Sequence, residues 1–339
     1  MQSPEIQKKE KLKLIHADSL VSNKIDIGDV TTLHGNVKLV QGEAELQCQK
    51  AILYRNRRFA ILEKKVQIFD GQHTLWADKV EYDGEKSIET ATGNVRIKTD
   101  NRELTAEKVV YDQSQKTTAA FGKVIIQDLV ERVVLYGEEA FYDKPKDYAY
   151  LKGTPHAVRI DSITGEKITI DGLRIDAWGG QDKVVVTDSV KIVKADLKAH
   201  CGRGIFLAKK DTLKLMDSPV VKQKRHHMKG DSIDICIRNM DFNGGILRGK
   251  AEIISQDSTT QDELQGNRIN IIAQNDTIKE VQVTGQATSI YYIQEENETG
   301  KNLLTGDQIN LIFKNDSLKN VNVFSDPGLC TGEYIPKKE

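Results

Sequence analysis

LWADKVEYD (75–83), LTAEKVVYD (104–112) and LYGEEAFYD (135–143) align so that each ends on Tyr-Asp. Looser copies follow at ITIDGLRID (168–176), AHCGRGIFL (199–207), MKGDSIDIC (228–236), LQGNRINII (264–272) and LLTGDQINLI (303–312). QCQKAILYR (47–55) precedes them, and a degenerate IHADSLVS (15–22) begins the series. Taking the Tyr or its apolar replacement as an anchor gives Tyr54, Tyr82, Tyr111, Tyr142, Ile175, Phe206, Ile235, Ile271 and Leu311. Recurrence at about thirty residues is the signature of a stacked repeat architecture.

A polar turn follows each anchor, as in Asp83-Gly84-Glu85, Asp112-Gln113-Ser114, Lys210-Asp211, Asn275-Asp276 and Asn315-Asp316. Such residues bond their own backbone and tolerate left-handed conformations. An alternating run comes next, often with a central glycine: TTLHGNVKLV (31–40), TATGNVRIKT (90–99), AAFGKVIIQ (119–127), VQVTGQATSI (281–290). Val37 and Leu39 stand two apart, as do Val66 and Ile68, Val95 and Ile97, and Val124 and Ile126. A period of two means a strand with one apolar face. Each repeat therefore reads as two strands and a turn, about ten repeats in all. The predicted fold class is all-β: a repetitive, rolled sheet, solenoid-like, in which neighbouring units bury one another's apolar faces.

Two columns run through the copies. Five residues before the anchor stands a small residue (Ala17, Ala77, Ala106, Gly137, Gly230, Gly266, Gly306, with Cys201 near the type). Next to it stands an acid: Asp18, Asp78, Glu107, Glu138, Asp171, Asp231, Asp307. Strict alternation would stack these carboxylates on the apolar face, where desolvation and mutual repulsion oppose them. A bend at the small residue that turns the acids outward, toward backbone amides, resolves the conflict.

The motif L-x-A-[DE]-K-V-x-Y-D, a turn, then G-[NK]-V-x-I resembles the OstA/LptA-like family of lipopolysaccharide-transport proteins. ADKVEYD (77–83), AEKVVYD (106–112), HGNVKLV (34–40) and TGNVRIK (92–98) carry the likeness. VTGQATSIYY (283–292) with LLTGDQINLIFKND (303–316) is similar to longer OstA-like proteins of Bacteroidetes-type bacteria. The resemblance covers about residues 13–326. It implies a half-open β-jellyroll, likened to a taco, whose apolar trough shields lipid A acyl chains during passage across the periplasm to the outer membrane. It implies as partners lipopolysaccharide and the OstA-fold components at the inner- and outer-membrane ends of a bridge, with head-to-tail self-association through edges near 14–21 and 303–324. The trough would be lined by Val37, Leu39, Val66, Ile68, Val95, Ile97, Val124 and Ile126 with the anchors Tyr82, Tyr111 and Tyr142. The domain reading is a tail at 1–12, the repeat domain at 13–326 with joints near 143–183 and 255–263, and a tail at 327–339. The alternative is a structural or adhesive β-solenoid with a closed core and no lipid ligand.

Composition narrows the function classes. With 49 Lys+Arg against 50 Asp+Glu the net charge is −1, which gives no bulk attraction to nucleic acid. No run of about 18 uncharged apolar residues predicts a transmembrane helix. The N-terminus lacks the apolar core of a signal peptide, so the chain reads as cytoplasmic or as a mature form; the resemblance implies the periplasm, with the signal removed. Cys48, Cys201, Cys236 and Cys330 lie too far apart for a zinc site, and one disulfide stays open. Gly244 to Lys250 mimics a phosphate loop, but Ala251 replaces the Ser or Thr and strand–turn context surrounds it. Lys222–Lys229 reads as a solvated basic turn. No catalytic constellation and no cofactor motif emerges, and an acid column repeated ten times does not look like an active site.

Overall fold

The computed structural model describes residues 12–25, 28–160, 165–238, 241–257, 260–274, 277–295, 298–314, 317–326 and 329–336. The described secondary structure is strand throughout, apart from three single-turn 3-10 segments. The expected turns at Asn275-Asp276 and Asn315-Asp316 lie outside the described residues. The chain divides into two compact units, Met1–Ala157 and Val158–Glu339, at a point inside the stretch 143–183.

In the first unit each strand pairs antiparallel with the next. β3 (Gly28–Gln41), β4 (Ala44–Tyr54), β5 (Phe59–Phe69), β6 (Thr74–Asp83), β7 (Ile88–Lys98), β8 (Arg102–Asp112), β9 (Thr117–Asp128) and β10 (Val133–Asp143) form one meander, closed by β11 (Tyr148–Lys152). β1 (Lys13–His16) and β2 (Ser19–Ile25) pair with the two halves of β3.

Each ladder from β3 through β10 skips at mid-strand. The register jumps between His34 and Val37, Glu63 and Val66, and Thr92 and Val95, so that two residues face one. The extra residues are consecutive left-handed pairs: Gly35-Asn36, Lys64-Lys65, Gly93-Asn94 and Gly122-Lys123, 29 residues apart each time. Such a bulge bends the pair of strands at a corner. The strand carrying the two extra residues keeps its inward parity, so that Leu62 and Val66, four apart, are 4% and 1% exposed, while its partner reverses parity, so that Ala77 and Val80, three apart, are both buried at 6% and 2%. Among the described residues the unit has no α-helix or second sheet to cover this face, so the half-sheets before and after the corner cover each other. The outer face stays polar: Arg96 lies 5.2 Å over the Trp76 ring and grips Glu103 with two bonds of 2.7 and 2.9 Å.

The small column is explained by close approach. A Cβ on Gly266 would come 2.6 Å from Val283 Cγ1, so a neighbouring rung fills the space the glycine leaves. The acid column points outward as the bend requires, and its partners are of two kinds. Asp18 and Asp78 accept from the Asn36 and Asn94 amides at 3.1 and 2.8 Å, and Glu107 pairs with Lys123 at 3.0 Å. These donors are corner side chains; Glu138 and Asp307 accept from backbone amides, as expected, those of Lys123 at 3.5 Å and Asp326 at 3.4 Å.

The second unit repeats the plan with the corners Asp188-Ser189, Asp217-Ser218, Gly249-Lys250 and Gly285-Gln286. Some rungs are split in two. β17 (Thr212–Met216) and β18 (Val220–Gln223) both pair with β16 (Leu197–Leu207), one on each side of Asp217-Ser218. Pro219 follows that corner and brings no N–H to the ladder, which accounts for the break. Its core, with Leu215, Ile233, Leu247, Ile269, Val283 and Ile309, is at most 1% exposed. Gly244 to Lys250 lies within the strand β21 (Asp241–Gln256), and Lys224-Arg225 forms the turn in the basic run. Residues 331–336, read as part of a tail, form β26 (Thr331–Pro336) on β24 (Glu298–Lys314); β24 is thus interior to the sheet, and the C-terminal edge is β25 (Ser317–Phe324) with β26. β21 ends at Gln256 and β22 (Gln261–Gln274) begins five residues on, inside the expected joint at 255–263, of which 258–259 lie outside the described residues.

Candidate trough of the first unit

The inner face of the first unit has two depths, and position along the strand sets them. Nearest the corner, Val37, Val66, Val95 and Val124 are 1% exposed. Two residues outward, toward the strand ends, Ile68, Ile97 and Ile126 are half-buried, whereas Leu39, at the same place on the first of these strands, is 2% exposed. Beyond the corner the same gradient runs from Val80 and Val109, at 2% and 3%, to Tyr82, half-buried, and to Tyr111 and Tyr142, 36% and 41% exposed. The eleven expected lining residues therefore all lie on one inner face, but five form a sealed floor and six a partly open mouth.

Cross-strand pairing adds residues the sequence reading passed over. Ile68 faces Leu75, Ile97 faces Leu104 and Ile126 faces Leu135. These leucines open the same repeat copies that were aligned, and the face-sharing rule for directly opposed residues identifies them once the register is known. The anchor column needs two corrections. Tyr54 pairs with Phe59, on the outer face; Leu53 takes the inner place opposite Ala60. A slip of one residue reverses the face, and QCQKAILYR lacks the Asp that fixes the alignment elsewhere. Ile175, opposite Val186, stands one inner position early, so Ala177 occupies the anchor place.

One charged group interrupts the mouth. Glu89 pairs with both Tyr82 and Tyr111, and so stands on the inner face, half-buried. Burial pushes its carboxyl above the ordinary range, and the Asp70 carboxylate adds to the rise. Asp70 belongs to the turn after β5, at the end of the rung opposite to that where Glu89 begins β7. The two strand ends thus come within Coulomb reach, as a folded-over sheet demands.

The strand ends form two rims. On one, Asp83, Asp112 and Asp143 cap their own turns: Asp112 accepts from the Ser114 and Gln115 amides at 2.9 and 3.0 Å. On the other, Asp70 accepts from the His73 amide at 2.7 Å and Asp128 from the Glu131 amide at 2.9 Å. Turns are also linked rung to rung, as from Gly84 N to Arg58 O at 2.8 Å. The arrangement offers apolar surface bounded by polar edges. Cys48 and Cys201 are free, buried thiols, raised to about 11 by desolvation.

No curated protein matches the chain. Among solved structures, that of LptH, described as the LptA homologous periplasmic component of the lipopolysaccharide transport device from Pseudomonas aeruginosa, matches at 14% identity over 43% of this chain and 82% of that one, with a TM-score of 0.22. The profile of the LptA/(LptD N-terminal domain) LPS transport proteins matches residues 74–240, and that of the OstA-like proteins matches residues 9–117. The two matches overlap across the Tyr-Asp repeats and together run from the first rungs into the second unit: the chain belongs to the OstA/LptA-like family of lipopolysaccharide-transport proteins.

Proposed function

We propose that this chain holds lipopolysaccharide by its lipid A acyl chains in the mouth of the folded sheet and hands it along the rungs, through the periplasm, toward the outer membrane. One observation carries the reading: the exposure gradient from the sealed floor at Val95 to the open positions at Ile97 and Tyr111. An acyl chain in water costs about 0.8 kcal/mol per CH₂, roughly 10 kcal/mol for twelve carbons. Half-buried isoleucines and leucines at each rung offset much of that cost. Because the rungs repeat, successive positions offer similar energy and a lipid can slide between them. Ile68, Ile97, Ile126, Tyr82, Tyr111 and Tyr142 touch the chains, and Val37, Leu39, Val66, Val95 and Val124 support them from beneath. Partners of the same fold at the inner- and outer-membrane ends dock on the edges β2 and β25–β26, as do further copies of this chain.

The sealed floor favours a second reading, a closed β-solenoid without ligand. A photo-crosslinker at Ile126 and another at Val95, in the native envelope, separate them. A lipopolysaccharide adduct at Ile126 and none at Val95 is the expected result. A folded protein with no adduct at Ile126 rules the conduit out.

A further inference from the structure

The two rims of the first unit differ in charge. The turns at 55–58, 83–87, 112–116 and 143–147 carry seven Lys and Arg against five Asp and Glu. The opposite turns, at 41–44, 70–73, 99–102 and 128–132, carry two against five. On the first rim three of the five acids, Asp83, Asp112 and Asp143, are engaged with amides of their own turns. Its cations are freer. Arg55, Arg57, Arg58, Lys116 and Lys144 are exposed and have no ion-pair partner among the described residues. The first tip holds three arginines and no acid. Its backbone is set by a 3-10 turn at Arg55–Arg57 and a left-handed Arg58 at φ 47.

The open tyrosines lie beside this rim and not the other. Tyr82, Tyr111 and Tyr142 each precede one of its turns. A Cβ on Gly84 would meet Arg58 O at 2.7 Å and Tyr82 Cε1 at 3.1 Å, so the Tyr82 ring reaches the arginine tip. Aromatic faces with guanidinium groups next to them suit a phosphorylated sugar: rings cover the sugar's C–H faces, and guanidinium binds phosphate in bidentate fashion. Successive tips, two strands apart, are spaced roughly 10 Å, within the span of one disaccharide head group.

We propose that the rim bearing Arg55, Arg57, Arg58, Lys116 and Lys144 takes the phosphorylated sugar end of an acylated glycolipid, so that the bound lipid has a fixed polarity: head on this rim, acyl chains directed between the half-sheets. The proposal rests on the lipid-holding reading and adds to it the orientation of the cargo. The acidic rim repels the same head group, so the reversed pose is opposed by like charge. Glu89, inward of the tyrosines, keeps phosphate at the rim and out of the mouth.

The test uses the full chain and three probes: bisphosphorylated hexa-acyl lipid A, the same lipid with both phosphates removed, and inorganic phosphate. One variant carries R55Q, R57Q, R58N, K116Q and K144Q, with asparagine at 58 because it tolerates the left-handed backbone. A control on the other rim carries E43Q, D100N and E131Q. Circular dichroism and thermal melting confirm that both are folded. The basic-rim variant is expected to lose about tenfold in affinity for the bisphosphorylated lipid and less than about twofold for the dephosphorylated one, with no loss in the control. Equal losses for both lipids, or none, overturn the proposal while leaving lipid holding intact. Full displacement of the lipid by inorganic phosphate at equal concentration identifies a free-anion site and overturns it too. Failure of the unaltered chain to bind either lipid overturns the lipid-holding reading along with it.

Discussion

Gly93 lies directly against Asp78: a Cβ on this glycine would overlap the carboxylate and stand 2.9 Å from Asp78 Cβ, while Asn94 donates to the same carboxylate at 2.8 Å. The corner and the acid of the preceding strand thus form one joint, with Gly93 at φ 77 and Asn94 at φ 48. Gly93→Ala meets both a steric overlap and an unfavourable backbone region, and is expected to lower stability by about 1–3 kcal/mol. Asn94→Ala, which removes a donor at an exposed site, costs about 1 kcal/mol or less. Urea denaturation of the two variants checks the order; equal costs would show that the glycine is not constrained.

Floor and mouth residues respond differently to truncation. Val95→Ala removes buried methyl groups and lowers stability by about 1–2 kcal/mol, with little effect on lipid affinity. Ile97→Ala, at a half-buried place, costs less stability and more affinity. Denaturation and lipid binding, measured on both variants, check the crossing of the two effects.

Glu89 gives a pH signature. Its carboxyl is raised in the folded state, so folding favours the protonated form, and the charged form destabilises the fold above the raised value. Glu89→Gln is therefore expected to be more stable than the parent at pH 7. The difference shrinks as pH falls through the folded value and is gone below about 4.5, the ordinary value, where the carboxyl is neutral in both states. Thermal melts from pH 4 to 8 check the sign: a variant less stable at pH 7 would mean that the charge is compensated.

The thiols divide by depth. Cys330 is exposed and reacts at once with an aromatic disulfide reagent at pH 8. Cys48 and Cys201, buried and raised to about 11, react only after unfolding. Counting released chromophore before and after denaturant checks this; immediate labelling of all four would show an open interior.

Edge pairing is expected to fail when a donor is lost. β2 pairs only with β3 among the described strands. Val21→Pro removes an N–H there and is expected to weaken self-association several-fold. Sedimentation over a concentration series checks it, and an unchanged profile would point to another interface.

The fold was legible because two periods agree. Alternation at Val95-Ile97 and Val124-Ile126 marked strands, and Tyr-Asp at 82–83, 111–112 and 142–143 set the repeat. The bend was read at the small column, Ala77 and Ala106; the left-handed pairs Gly35-Asn36 and Gly93-Asn94 sit at the central glycines of the alternating runs. Lys64-Lys65 and Asp188-Ser189 adopt the same bend with no glycine, forced by pairing with neighbours that share the corner, and no local signal announces them. The mouth was less legible than the floor. Ile97 and Val95 read alike in sequence, and only the fold-back of the half-sheets makes one open and the other sealed. Tyr54 illustrates the limit of composition: a tyrosine at nearly the right spacing lies on the wrong face, because parity within a strand outranks residue type.

The 29-residue interval between corners governs how such a chain can change length. An inserted residue between corner and strand end exchanges inside for outside along that segment, whereas one at a turn tip leaves both segments in phase. Removing residues 65–93 would bring Lys64 onto Asn94, restore a corner and leave Glu63 and Val95 in their former parity. Growth and shortening therefore proceed by whole modules, as links are added to or taken from a watch strap.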